Sequence, residues 1–499
     1  MSDMKIIKPA DFSLLENFAK VNKIDATYYD KYPVKRGLRN DDGTGVIAGV
    51  TNISNVHGYI MCDGDKTSDR GRLTYRGFAI EDLLSPVACD GRFCFEEIAY
   101  LLLMGDLPTA EQLAGFIAEL DSERELPDGF TAHYIMNPAT PDIMNALARS
   151  ILFFYATDAN AESRSPEHEI RTAISLISRL PRIAVLAYYA KQVVFNHGSM
   201  IMHRFIPGQS TAETILSMIR INRKFEPQEA AMLDIMLALH AEHGGGNNST
   251  FATRVLSSAD TDPYSAYAAG IGSLKGSRHG GANAKVRKMQ ENIKTAVKDW
   301  ENDDELASYL ASIIRKEAFD GSGLIYGMGH AVYTLSDPRA TICKQFASKL
   351  AIGSELEPEY RLLESIERLA PQVFADVKGS QKAMCANIDM YSGFVYSMLG
   401  IPDDMVTPLF ACARMAGWAA HRFEEIVSGK RIIRPAYKST NGVREYVPIK
   451  ERIDATNAGG SKLDSTQNSD QESRLDSYID SNLGSSLNSS LNSGQIDSN

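Results

Sequence analysis

The chain predicts a mainly helical, all-α fold in which a smaller domain is inserted between two parts of a larger one, with minor β structure near the N-terminus. Three observations predict it. At 499 residues the chain exceeds what one hydrophobic core usually serves, so two domains are expected. From Phe95 to Gly429 apolar residues recur almost throughout at helical spacing, punctuated by caps and breakers. Between 284 and 317 the pattern turns more polar and amphipathic, and the glycine-rich stretch 321–329 follows it, marking a smaller, more exposed lobe.

Taken in order, residues 46–61 are rich in Val, Ile, Thr and Asn, and 72–76 follow an Asp-Gly-Asp turn signal; both read as short strands or extended segments. Glu96, Glu97, Ile98, Leu101 and Leu102 belong to one helix, stopped by Gly105 and Pro108. Ser165-Pro166 gives the next long helix an N-cap and a first-position proline, and Leu180-Pro181 is expected to interrupt it. Ser210 and Glu213 have capping-box spacing ahead of Ile215, Leu216 and Ile219. The helix near 227–242 is apolar on nearly every face, so it belongs in the interior. Its last turn, with His240 and His243 on one side, should project into a buried cavity. Asp403 and Asp404 open another strong helix with Arg414 embedded in it, ending at Gly429. Beyond Ala455 the composition turns to Ser, Asn, Asp and Gln, which cannot bury enough apolar surface to offset the entropy of ordering, and predicts a disordered tail. The division expected is 1–279 for the first part of the large domain, 280–394 for the small domain, 395–454 for the return to the large domain and 455–499 for the tail.

Apolar residues at 44% and charged residues at 23% are ordinary for a soluble globular protein. A formal net charge of -11 argues against nucleic-acid binding, so any pocket for an anionic ligand must be built from specific arginines. The six cysteines are scattered without metal-site or redox spacing and fit buried thiols in a reducing cytosol. The N-terminus lacks a signal-peptide apolar core, and no run approaches the roughly 20 residues needed to span a bilayer. A cytoplasmic protein with no membrane contact is expected.

Chemistry concentrates in four places. His240-Ala-Glu-His243 has two imidazoles spaced by three, but HExxH and a third nearby ligand are absent, so a metal site is not the expectation. His279 lies in Gly276-Ser-Arg-His279-Gly-Gly-Ala-Asn283, where a helix entry would disfavour imidazolium and leave a neutral ring able to donate to a developing enolate oxygen. His330 lies in Gly327-Met-Gly329-His330 and is followed nine residues on by Arg339, a side chain suited to bidentate capture of carboxylate. Asp389 stands among Cys385, Ile388, Met390 and Tyr391; apolar surroundings raise the basicity of a carboxylate and suit it to proton abstraction, although the residue could equally cap a helix.

In this order the motifs resemble the citrate synthase family, including its 2-methylcitrate synthase members, from about Gly45 to Pro435. Tyr75-Arg-Gly and Glu96-Glu97 come first, then the His240, His279, His330 and Asp389 motifs, then Ala413-Arg414-Met-Ala-Gly-Trp and Arg434-Pro435. The resemblance implies a nearly all-helical homodimer whose large and small domains close over oxaloacetate and acetyl-CoA, a substrate rather than a cofactor, to make citrate. By motif, His279 would hold the enol oxygen, Asp389 would remove a methyl proton and His330 would polarise the oxaloacetate ketone. His243, Arg339 and Arg414 would bind carboxylates, Gly327 and Gly329 would lie against CoA, and Arg434 would reach the neighbouring subunit's site. No cofactor and no metal are implied.

The chain departs from common forms of the pattern at Ser277-Arg278, where many members have Gly-Pro, at Lys275, often aromatic, and at Ala331, frequently arginine in bacterial members. These changes leave the reacting groups intact and bear on CoA affinity and closure geometry. The alternatives to citrate formation are 2-methylcitrate formation from propionyl-CoA, a metal-dependent hydrolase using His240, His243 and Asp389, and a non-catalytic helical scaffold.

Overall fold

Caps and breakers written into the sequence set most element boundaries in the computed structural model, which describes residues 22–62, 65–379, 383–441 and 443–452. The predicted Ser/Asn-rich tail lies outside the described residues. After a short helix α1 (Thr27–Lys31), strands β1 (Ser54–Cys62), β2 (Asp65–Tyr75) and β3 (Phe78–Ala79) form an antiparallel sheet in chain order. The two segments read from sequence as separate extended pieces are thus two arms of one hairpin, with a register shift between His57 and Tyr59.

Helices follow: α2 (Ile80–Asp90), α3 (Phe95–Met104), α4 (Ala110–Glu123), α5 (Ile143–Thr157), α6 (Pro166–Phe195), α7 (Thr211–Ile219), α8 (Pro227–His240), α9 (Asn248–Ser258) and α10 (Pro263–Leu274). Then come α11 (Ala282–Ala296), α12 (Asp303–Ile314), α13 (Pro338–Ala351), α14 (Glu357–Lys378), α15 (Asp389–Met398) and α16 (Asp403–Ser428). Gly105 ends α3 in the left-handed conformation, Ser165 caps α6, and Ser210 with Glu213 closes a capping box on α7, as the spacing predicts.

Helix α6 is the exception. It runs unbroken through Pro181, against the sequence expectation of an interruption there. The proline costs one backbone hydrogen bond, but Leu180, Pro181, Ile183 and Ala184 are all buried in the core, and tertiary packing outweighs the local preference.

Helix α16 is the axis of the core: Met405 through Arg422 is buried apart from Thr407, and the helix packs on α3, α6, α8, α9 and α10. Two helix heads are capped from afar. The Asp234 carboxylate of α8 accepts the N–H groups of Cys94 (2.7 Å) and Phe95 (3.2 Å), and Glu96 accepts that of Thr211 (2.7 Å). Among the described residues no helix is long and apolar enough to cross a membrane. The described residues up to Pro435 form one compact unit; the described chain from Ala436 is a separate, largely exposed segment with a single 3₁₀ turn at Ile449–Glu451.

Candidate active site

The interior helix α8 stops at His240, so His243 stands in the turn beyond it, and the two rings do not share a helix face as their spacing suggested. The carbonyls left open at the helix end are taken by side chains from distant elements. Tyr75 Oη donates to the carbonyls of Ala238 (3.2 Å) and Glu242 (2.9 Å), and Arg414 Nε donates to that of His240 (2.7 Å). The His240 ring lies on Phe410, 4.4 Å between centroids, and among the described residues its Nδ1 has no hydrogen-bond partner. His243 instead meets His330 edge-to-face at 5.2 Å between centroids, and its Nε2 lies 3.3 Å from Tyr333 Oη.

Glu242 fixes this turn. Its Oε1 accepts from Ser54 Oγ (2.8 Å), from His421 Nε2 (2.9 Å) and from the N–H of Gly244 (2.5 Å). Burial alone would raise this carboxyl, but the His421 charge and hydrogen bond outweigh it and hold it down at about 2.

The loop carrying His330 is formed by backbone pairing. Gly329 N–H donates to the Cys385 carbonyl (2.7 Å), Asn387 N–H to the Gly327 carbonyl (2.9 Å) and Asn387 Nδ2 to the Gly329 carbonyl (2.9 Å). Gly327 and Gly329 have φ of +85° and +86°, which side-chain-bearing residues rarely adopt, so these turns require glycine. The pairing draws the His330 loop against the segment leading into α15, whose first residue is Asp389. His330 Nδ1 accepts the N–H groups of Val332 (3.0 Å) and Tyr333 (3.1 Å), which assigns the ring proton to Nε2.

His279 sits in the turn before α11. Its Nε2 accepts the Ser249 N–H (3.3 Å) and lies 3.1 Å from Ser249 Oγ, itself bonded by Trp418 Nε1 (3.1 Å), which leaves the imidazole proton on Nδ1. Burial, seconded by Arg414, pushes His279 down to about 4, and α11 begins three residues further on, at Ala282. Burial, with Arg339, also holds His330 at about 4 and His243 well below its usual range. All three rings are neutral near pH 7. Asp389 moves the other way. Burial raises it to about 6, against the Asn283 Nδ2 hydrogen bond at 3.3 Å.

Arg339 and Arg414 are both buried, in different circumstances. Arg339 is held by Asp337 through Nε (3.1 Å) and a terminal nitrogen (2.7 Å), and this carboxylate outweighs desolvation to raise its pKa. Arg414, within α16, lies over the Phe410 ring at 4.8 Å; among the described residues its two buried terminal nitrogens have no hydrogen-bond partner, and desolvation lowers it to about 10 against the charge of Glu242. Among the described residues no hydrogen bond ties the exposed Arg434 to these groups. His243, His330 and Arg339 come together, with Arg414 and His279 close enough to His243 to depress it electrostatically. Sequence reasoning missed Tyr75, Glu242, Asn283, Tyr333, Asp337 and Asn387. Glu242, Tyr333, Asp337 and Asn387 had a local signal, each lying within three residues of a named histidine, arginine or aspartate, and Tyr75 and Asn283 stand in the quoted motifs; what the sequence did not show is which groups they bond.

Comparison with known proteins decides what this cluster belongs to. The profile described as "Citrate synthase, C-terminal domain" matches residues 41–436. The chain belongs to the citrate synthase family. It is 33% identical over 386 residues to the citrate synthase of Deinococcus radiodurans, covering 77% of this chain and 93% of that protein. It is 31% identical over 428 residues to 2-methylcitrate synthase 1 of Corynebacterium glutamicum, covering 84% and 98%. A solved ternary complex of carboxymethyl coenzyme A and oxaloacetate with citrate synthase from Thermoplasma acidophilum superposes with a TM-score of 0.68 at 27% identity, covering 84% of this chain and 99% of that one. The protein is therefore an enzyme, a transferase of the citrate synthase type.

Proposed function

We propose that the enzyme condenses acetyl-CoA with oxaloacetate and water to give citrate and CoA. The observation that carries this is the Arg414 guanidinium, buried with both terminal nitrogens unpaired. Buried guanidinium N–H groups left without acceptors are costly, and a carboxylate offering two parallel acceptors is the ligand that satisfies them. Arg339 and His243 supply further donors for a dicarboxylate.

The Asp389 carboxylate takes a proton from the thioester methyl group. Its raised basicity supports that role, and neutral His279, with Nδ1–H to donate, stabilises the enolate oxygen as charge develops. The enol carbon attacks the oxaloacetate ketone, polarised by the Nε2–H of His330, and the alkoxide takes up a proton. Water then cleaves the citryl thioester, releasing CoA and citrate. The reaction as written needs neither metal nor cofactor. By family resemblance, CoA lies along the Gly327–Gly329 turns and the lobe of 280–394 closes on the rest. Arg434, exposed and remote in bonding from its own chain's site, serves the site of a partner subunit.

Relatives of comparable identity make 2-methylcitrate, so propionyl-CoA is the second reading. One methylene is worth only about 1–3 kcal/mol in a pocket. CoA release with oxaloacetate and each acyl-CoA tests both readings: faster turnover with acetyl-CoA is expected, and release from neither overturns the proposal. For the shared site, Arg434→Ala mixed with Asp389→Asn subunits should regain partial activity; no recovery in verified mixed dimers counts against it.

A further inference from the structure

The N-terminal hairpin touches both segments that carry the paired histidines. At its root, Ser54 Oγ donates to Glu242 (2.8 Å) and Tyr75 Oη to the Glu242 carbonyl (2.9 Å), so β1 and β2 together fix the turn that presents His243. Further out, the hairpin meets the loop that follows His330. Thr334 Oγ1 donates to the carbonyls of Gly58 (2.5 Å) and Asp69 (3.3 Å), and the Gly71 N–H donates to Ser336 Oγ (3.1 Å).

These contacts fall at the register shift between His57 and Tyr59, where Gly58 and Gly71 lie on facing strands. The absence of side chains there opens a slot. A Cβ on Gly58 would come within 2.7 Å of both Tyr333 Cα and the Val332 carbonyl oxygen, and one on Gly71 would overlap the Ser336 carbonyl oxygen. The backbone of 332–336 therefore sits directly on the strand backbone. The bulge is pinned by Asp69, which binds His57 Nε2 (2.6 Å) and Arg72 (2.8 Å).

We propose that the β1–β2 hairpin is a positioning element for the reaction. Its root holds His243, its glycine slot seats the 332–336 backbone, and Gly58, Gly71 and Thr334 thereby set the separation of His243 and His330. The inference rests on the reading of those two histidines as the oxaloacetate-binding pair. A displacement of about 1 Å between such groups lowers rate by up to about 100-fold.

The test is steady-state CoA release by the full chain, varying each substrate in turn, alongside the thermal midpoint. Gly71→Ala is expected to raise the oxaloacetate KM by about ten-fold or more and lower kcat, with the acetyl-CoA KM within about two-fold. Thr334→Val, which removes one hydroxyl at constant shape, should raise the oxaloacetate KM by about three- to five-fold. Thr67→Ala, exposed on β2 outside the register shift, should match the wild type. A merely structural contact would lower the midpoint and the active fraction without moving one KM selectively. An unchanged oxaloacetate KM in folded Gly71→Ala and in Thr334→Val overturns the proposal; if Gly71→Ala does not fold, Thr334→Val decides. Wild-type protein that releases no CoA overturns the functional reading itself and the positioning role with it, whereas normal wild-type turnover with indifferent variants overturns positioning alone.

Discussion

The cluster has a helix-borne side and a loop-borne side, and they handle charge in opposite ways. Arg414 lies within the buried helix α16 and His243 in the turn just beyond the buried helix α8, and among the described residues Arg414 has two guanidinium nitrogens without a hydrogen-bond partner. His330 stands on a loop zipped by backbone hydrogen bonds to the segment before α15, with Asp389 at the head of α15 and Arg339 at the head of α13, and there the cation is already neutralised by Asp337. The difference separates two tasks. The helix side holds an unmet demand for an anion and so suits binding, while the loop side satisfies its own charges and keeps one carboxyl poised to ionise near pH 6.

Asp389→Asn breaks the loop side's chemistry without touching the helix side's demand. Turnover in CoA release should fall on the order of 10²–10⁴-fold, while oxaloacetate binding followed by calorimetry is largely kept. A variant with near-normal turnover rules out Asp389 as the base.

The two arginines should respond differently to removal. Arg414→Leu takes away the unpaired cation and should weaken oxaloacetate binding by about 2–5 kcal/mol, read as a rise in KM or a lost calorimetric signal. Arg339→Leu leaves Asp337 buried without its partner and should lower stability by about 3–5 kcal/mol in denaturant unfolding. The double variant Arg339→Leu/Asp337→Leu should regain much of that stability but not the activity. Equal destabilisation by both single arginine changes would erase the contrast between the two sides.

The same division explains what the sequence revealed. Features carried by neighbours a few residues apart were legible: the capping box at Ser210, the stop at Gly105, the apolar helix ending near His240, and the apolar setting that raises Asp389. Features that depend on contacts across the chain were not. Tyr75 caps α8 from 163 residues away, and Glu242 is fixed by His421 from 179 residues away. The Pro181 break failed for the same reason: a buried helix obeys its packing before its local preference. The hairpin's slot, built from the absence of two side chains, leaves only glycines to read.

Acidification sharpens the assignment of the base. His279 and His330 are held at about 4 and Asp389 at about 6, so descending pH protonates the carboxylate before either imidazole. The ionised form is the active one; kcat/KM for acetyl-CoA should therefore fall about tenfold per unit below pH 6 and be level from about pH 7. An acid limb that survives unchanged in a residual-activity Asp389→Glu variant would assign it to another group.

The smallest change probes the seam between the two sides. Tyr333 Oη lies 3.3 Å from His243 Nε2, a long contact joining the loop to the helix-borne turn, and its ring also faces His330 at 4.6 Å between centroids. Tyr333→Phe keeps the ring and deletes the hydroxyl. Losing one such hydrogen bond is worth about 0.5–1.5 kcal/mol, so a rise of about two- to ten-fold in the oxaloacetate KM is expected, with kcat nearly unchanged because the His330 proton arrangement depends on the Tyr333 backbone N–H and not on its hydroxyl. A fall in kcat at constant KM would instead make the hydroxyl part of the polarising group, and the line between a binding side and a reacting side would have to be redrawn through Tyr333.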